Sequence, residues 1–258
     1  TNGVFNIVAT ITYRFRLFQD GFLPSRVVTR SYIKDDRTFN MPVISVVTER
    51  KNLYDDWLGI YIKGVNGRTG NGQSSPCNWN MDWDRPVNFE YITTDGQMVI
   101  NQEANMEMCG GWSRAWTPHS FKIKANKIYE GENYLPYQTF PNKTYLKHKT
   151  LQIRNGGNDT DCRIKDAALQ TIVHSSGLDV DGQECQPVAH FINGEYKGML
   201  NIREPNNKHF VEANYALGDD EIYLAIRNHV FGRRGMTKLE EIIMIFLFKE
   251  ENKIGYNR

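Results

Sequence analysis

The chain has 258 residues, 40% of them apolar and 24% charged, with a formal charge of +1. That balance argues against a general nucleic-acid binder, which would carry a basic excess on one face. The longest apolar run, residues 242–248, falls far short of the ~20 residues of a membrane-spanning helix. The first residue is Thr1, with no Met and no apolar leader ahead of it. The expectation is a processed or excised chain.

In chain order the first elements are strands. Phe5, Ile7, Ala9 and Ile11 alternate with more polar neighbours, the run continues to Phe18, and Gln19-Asp20-Gly21 turns it toward a second strand over residues 26–33. Asp-Gly between two such runs is a hairpin signal. Lys34-Asp35-Asp36-Arg37 is a charged break and a boundary between domains. Pro42-Val43-Ile44-Ser45-Val46-Val47 reads as a buried strand, residues 52–56 as a turn or short helix, and residues 68–76 as a mobile Gly/Asn/Ser loop. Residues 85–91 and 97–100 form a hairpin about Thr94-Asp95-Gly96. Ser120-Phe121-Lys122-Ile123-Lys124 is a further strand, with Lys122 and Lys124 on one side of it.

The next stretch is the most polar turn of the chain. Leu151 and Ile153 alternate with Gln152 and Arg154 as in a half-buried strand. Gly156-Gly157 turns it, and Ile164, Ala167, Ala168, Ile172 and Val173 recur at helical spacing until Gly177 stops the helix. Arg163, Asp166 and Gln170 stand three and four apart on the opposite face. Arg154, Asn155, Asn158, Asp159, Arg163 and Asp166 are residue types that hold phosphate or metal. A satisfied polar turn with a surface Arg–Asp pair fits the same pattern. Residues 187–192 and 198–202 are strands joined through Asn193-Gly194, the strongest short hairpin signal. Residues 207–215 read as a helix.

Other groups with chemistry are fewer. Gly110-Gly111-Trp112-Ser113-Arg114 is a glycine turn between strands with an arginine at its exit, and bare glycines let backbone approach an anion. Lys122 facing such a loop would grip phosphate, although a solvated strand face reads the same way. Glu204, leaving a strand ahead of Pro205, suits a hinge, a nucleotide contact or a simple cap. Cys77, Cys109, Cys162 and Cys185 lack metal spacing, and pairing or free thiols both remain open. No hydrolase or Walker motif is present.

Taken in order, these residues resemble the spore coat protein CotH kinase-like family. The resemblance runs from Met41-Pro42-Val43-Ile44-Ser45 through Asp84-Arg85-Pro86, Gly110-Gly111-Trp112-Ser113-Arg114 and Ser120-Phe121-Lys122. It continues through Arg154-Asn155-Gly156-Gly157-Asn158-Asp159, Arg163-Ile164-Lys165-Asp166, Asn193-Gly194-Glu195-Tyr196-Lys197-Gly198 and Asn201-Ile202-Arg203-Glu204. Residues 5–33 resemble the end of a chitobiase/hexosaminidase C-terminal-type β module. The domains expected are the end of a β-sandwich-type module over 1–36, a CotH kinase-like portion over 40–222 and a divergent tail over 223–258. The fold class expected is α+β, mostly antiparallel β with a few helices, atypical protein-kinase-like and incomplete at its C-terminus.

The resemblance implies phosphoryl transfer from ATP, with Mg2+ or Mn2+, to Ser or Thr of secreted or surface proteins. It implies a secreted or cell-surface, bacterial setting. Arg114, Lys122 and Arg163 become the phosphate-contact candidates, Asn155, Asp159 and Asp166 organise the loop, and Glu204 completes the nucleotide side. Two departures stand out. His119 occupies the place where the family usually has a lysine, and the family's catalytic and metal-binding aspartates are not recognisable before Arg258, so the expectation is a chain that does not itself transfer phosphate efficiently. Asp219, Asp220 and Glu221 match the family but are not its metal ligands. The competing expectation is a non-catalytic surface module that holds glycan or protein.

Overall fold

The computed structural model describes residues 4, 6–70, 73–130, 133–157, 159, 161–178, 180–215, 227–229 and 239–241. They belong to two compact units, Thr1–Glu204 and Pro205–Arg258. In the first, β1 (Ile11–Phe15) and β2 (Val28–Tyr32) form the expected antiparallel hairpin, shorter than the alternation suggested. β3 (Val43–Val47) is buried at every position, and α1 (Arg50–Tyr54) follows it. The loop after it is pinned where β4 (Arg68–Thr69) pairs with β5 (Pro76–Cys77). Then come β6 (Arg85–Ile92), β7 (Met98–Met108), β8 (Phe121–Lys124), α2 (Lys127–Glu130), β9 (Leu135–Pro136) and β10 (Lys147–His148). β11 (Thr150–Arg154), α3 (Lys165–Ser175), β12 (Cys185–Ile192) and β13 (Glu195–Arg203) complete the unit.

Seven strands close a barrel in the order β11–β13–β12–β3–β6–β7–β8, with β8 returning to β11. The chain is thus mostly β with a few helices. All the barrel pairings are antiparallel except β12 with β3, which run parallel. Hairpin signals could not show that pairing, because its two strands are far apart in sequence. The Asn193-Gly194 hairpin is present, with φ of 49° and 82° at its two central residues, the left-handed pair that such a turn requires.

Period-2 alternation fills the interior. Ile44, Val46, Phe89, Tyr91, Met106, Met108, Phe121, Ile123, Leu151, Ile153, Leu200 and Ile202 form one apolar cluster. Burying each large apolar side chain contributes about 1.5–3 kcal/mol, the main force closing the barrel. The β1–β2 hairpin sits outside β3 and β6. The Ser31 amide donates to Glu90 Oε1 at 2.9 Å, and the Ser31 and Ser45 hydroxyls are 2.9 Å apart.

The second unit contains α4 (Lys208–Tyr215), matching the expected helix, with Phe210 and Val211 buried. Asn207 Oδ1 accepts from the His209 and Phe210 amides at 3.0 and 3.3 Å and so caps it. β14 (Arg227–His229) pairs antiparallel with β15 (Leu239–Glu241). Asp219, Asp220, Glu221 and the apolar run 242–248 lie outside the described residues.

Candidate functional site

The glycine turn leaves β7 through Cys109, whose amide donates to the Ser120 carbonyl at 3.0 Å. Gly110 has φ +102°, which a side chain would strain, and a 3-10 turn over Trp112–Ala115 follows. Arg114 folds back on this turn. Its Nε donates to the Gly110 carbonyl at 2.6 Å, its Nη1 to the Trp79 carbonyl at 3.3 Å, and Asp82 lies at 3.9 Å. The expected phosphate arginine therefore staples the loop. His119 is buried, with Nδ1 against the Arg114 carbonyl and its ring on Tyr61 and Trp79 at 4.6 and 5.2 Å. Burial pushes its pKa down, so this position offers a neutral ring where the resemblance led us to expect a cation.

Asn155 is the hub that ties this turn to β11. Its amide donates to Ser120 Oγ at 2.9 Å, and its Nδ2 to the Ser113 and Trp116 carbonyls, both at 3.2 Å. Its Oδ1 accepts from the Gly157 amide at 3.1 Å. Only 2% of the residue is exposed. Gly156 and Gly157 both have positive φ, 89° and 56°, which is why this turn needs the glycine pair. Asp159 organises the next step: its Oδ2 accepts from the Lys165 amide at the start of α3, and its carbonyl accepts from the Arg163 amide at 2.8 Å.

Arg163 does not join the face of α3 that its spacing suggested. It precedes the helix with φ +59°, and its Nη1 donates to the Met199 carbonyl at 3.2 Å. The orientation of α3 follows the apolar reading only in part. Ala167 is the buried residue of the helix, as expected, whereas Ile164, Leu169 and Ile172 are at least half exposed and Asp166, Gln170 and His174 are half-buried beside Ala167. Asp166 Oδ2 accepts from Arg154 Nη1 at 3.2 Å and from Arg203 Nη2 at 2.8 Å. Gln170 Oε1 accepts from the Gln183 amide at 3.1 Å, and His174 lies 3.3 Å from Glu184. The reason is electrostatic: Arg154 and Arg203 point outward from β11 and β13, and a buried guanidinium without a carboxylate would cost more than exposed isoleucines.

The same outer face carries a row of residues standing opposite one another on adjacent strands. Glu107 pairs with Lys122, Lys122 with Gln152, and Gln152 with Arg203. Lys122 and Lys124 share one side, as expected, but differ in company. Lys124 Nζ lies 2.5 Å from Asp84 and 2.9 Å from Glu107. Lys122 makes no hydrogen bond or ion pair among the described residues. Beside it Cys109 is buried, and burial pushes its thiol up to about 11. All four cysteines are free, and only Cys162 is exposed.

Glu204 is engaged on both carboxylate oxygens. Oε1 accepts from the Tyr145 hydroxyl, and Oε2 accepts from the Glu184 amide at 2.9 Å with Lys143 Nζ at 3.9 Å. Its carbonyl accepts from Gln183 Nε2. The residue clamps the end of β13 to the segments around 145 and 184, and its side chain is buried. Tyr145 and Arg203 carried no separate signal in sequence. Arg203 could have been suspected as a charge placed at an inward or outward alternation opposite Gln152.

A family model described as CotH kinase protein matches residues 106–247. The match opens near the end of β7 and takes in the glycine turn, Lys122, the Asn155 hub, α3 and Glu204. It starts well after residue 40 and passes residue 222 into the stretch expected to diverge. No curated protein matches the chain.

Proposed function

From the premise that this chain belongs to the CotH kinase family, we propose that the outer barrel face between the glycine turn and α3 binds ATP. The reaction it serves is transfer of the γ-phosphoryl group to Ser or Thr hydroxyls of secreted or surface proteins. One observation carries the reading. Arg154, the last residue of β11, reaches Asp166 on the helix that follows, beside a glycine turn fixed to the same strand through Asn155. A strand-borne base paired with an acid of the next helix, under a glycine loop, is the arrangement that kinases use to hold phosphates. Lys122, facing the same side without a carboxylate partner, supplies a second positive charge for the triphosphate. Arg114, Arg163, Asp159 and Glu204 act in this reading as framework, since their polar groups are engaged by the protein.

In the transfer, the bond between the γ-phosphorus and the bridging oxygen of ADP breaks as a bond to the acceptor hydroxyl oxygen forms. The hydroxyl proton passes to a base, a role we assign to no described residue. A divalent cation, Mg2+ or Mn2+, would neutralise charge on the triphosphate. Among the described residues no group of three or more His, Cys, Asp or Glu stands together to hold one, so no step is routed through the ion. No helix of the described residues is long and apolar enough to cross a membrane, and a secreted or surface setting belongs to the same proposal.

The test is thermal stabilisation by Mg-ATP and Mn-ATP, with labelled γ-phosphate to follow transfer. A rise in Tm that Arg154→Ala abolishes supports the reading, and no rise with either nucleotide complex overturns it. A second reading, a non-catalytic module for glycan or protein, draws on the exposed Phe15, Phe18, Phe22 and Trp57. Glycan or protein binding in the absence of any nucleotide effect would favour it.

A further inference from the structure

Asp166 serves two arginines, and the two are not equivalent. The Arg203 side chain is 2% exposed and the Arg154 side chain 34%. Arg203 makes one side-chain hydrogen bond, to Asp166, while its Nε and Nη1 are buried without partners. It cannot leave the carboxylate without becoming a bare buried cation. Arg154 can leave, because its bond is longer and its guanidinium reaches solvent. Two guanidinium groups on one carboxylate also leave a net charge of +1.

We propose that Arg203 is a positioning residue of the nucleotide site. It anchors Asp166 and supplies the charge that neutralises it, so the carboxylate orients Arg154 while Arg154 keeps its own charge for a phosphate oxygen. With Arg203 absent, Asp166 and Arg154 become a neutral pair that attracts phosphate weakly. This rests on the nucleotide reading above. The rival role is purely structural: a buried pair that fastens α3 to the barrel.

The experiment titrates the full chain with Mg-ATP and with inorganic tripolyphosphate, comparing wild type, Arg203→Met, Arg203→Lys, Arg154→Ala and the Arg203→Met/Arg154→Ala double variant. Arg203→Met is expected to weaken both ligands about tenfold, with Arg203→Lys recovering most of the loss. In the Arg203→Met background, Arg154→Ala is expected to cost little more. Wild-type affinity in Arg203→Met, or losses that multiply in the double variant, overturns the anchor role and leaves the nucleotide reading standing. A wild type that binds neither ligand overturns both. If circular dichroism shows Arg203→Met unfolded, Arg203→Gln, which keeps a donor and drops the charge, decides: a loss of about fivefold or more for both ligands supports the role, and unchanged affinity overturns it.

Discussion

Two polar regions lie on the outside of the same barrel, and they are finished to different degrees. Around Asn155 and Glu204 nearly every donor meets an acceptor: turn carbonyls, a serine hydroxyl, a tyrosine and an amide. On the Lys122–Gln152–Arg203 row, by contrast, Lys122 has no carboxylate partner, and two nitrogens of Arg203 are buried and bare. Saturated networks hold a shape, because removing any member strands another. Open ones retain attraction for something that is not protein. The contrast separates framework from the proposed binding face more sharply than residue type does, since both regions contain the same arginines, lysines and acids.

The largest effect should come from breaking the closed clamp. Glu204→Ala strands the Tyr145 hydroxyl and the Glu184 amide, and is expected to cost about 3–5 kcal/mol in urea unfolding. A loss below about 1 kcal/mol would show that the clamp is not a closed unit.

Acid is the next probe, because it reaches buried groups without mutation. Burial holds His190 down to about 3 and His148 to about 4. Both folded values lie below the unfolded value of ~6.5, so the unfolded chain gains protons first as pH falls. Stability should be level above pH ~6.5 and decline from there toward pH 3–4, by on the order of 5 kcal/mol from His190 and 3 kcal/mol from His148. His190→Leu should make that slope shallower throughout and leave almost none of it below pH ~4. A slope equal to wild type would contradict the neutral, buried state of His190.

Asn155→Ala removes three side-chain hydrogen bonds and is expected to cost about 2–3 kcal/mol, measured by the same unfolding curves. The glycine turn should become more open to proteolysis at residues 110–116. The smallest stability change belongs to the open face. Lys122→Ala should stay within about 0.5 kcal/mol of wild type while weakening Mg-ATP several-fold. Lys124→Ala, which breaks contacts to Asp84 and Glu107, should do the reverse, and similar nucleotide effects from both would erase the distinction drawn between them.

Much of this was readable before any coordinates. Strand period 2 located β6, β8 and β11, a short apolar run located β3, and Asn193-Gly194 announced the hairpin of β12 and β13, because each signal is local. The loop from Arg154 to Asp166 and the glycine turn were also legible as a pair of polar turns, and the family match covers both. What could not be read was partnership. Arg114 looked free and is bonded to its own turn, Arg163 looked helical and stands in a left-handed kink, and Glu204 looked available and is enclosed. Apolar spacing on α3 pointed Ala167 and its isoleucines inward; Ala167 is buried, but Ile164 and Ile172 are exposed and Asp166 reaches the arginines of two strands. Those outcomes depend on which strands become neighbours, and spacing along one segment carries no such information.

The parallel seam between β3 and β12 has a consequence for how the molecule forms. It joins residues near 45 to residues near 190, and Asn193 Oδ1 closes it by accepting from the Thr48 amide, 145 positions away. Contacts of such separation come late, since the intervening chain loses its freedom before they contribute. During synthesis β3 can pair with β6 as soon as both have emerged, but its other edge waits for most of the unit. A largely apolar strand with a waiting edge is prone to pairing with a second chain. Refolding yield should therefore fall with protein concentration, and Ser45→Lys, which puts a charge on that edge, should protect the nascent chain at the expense of the finished barrel.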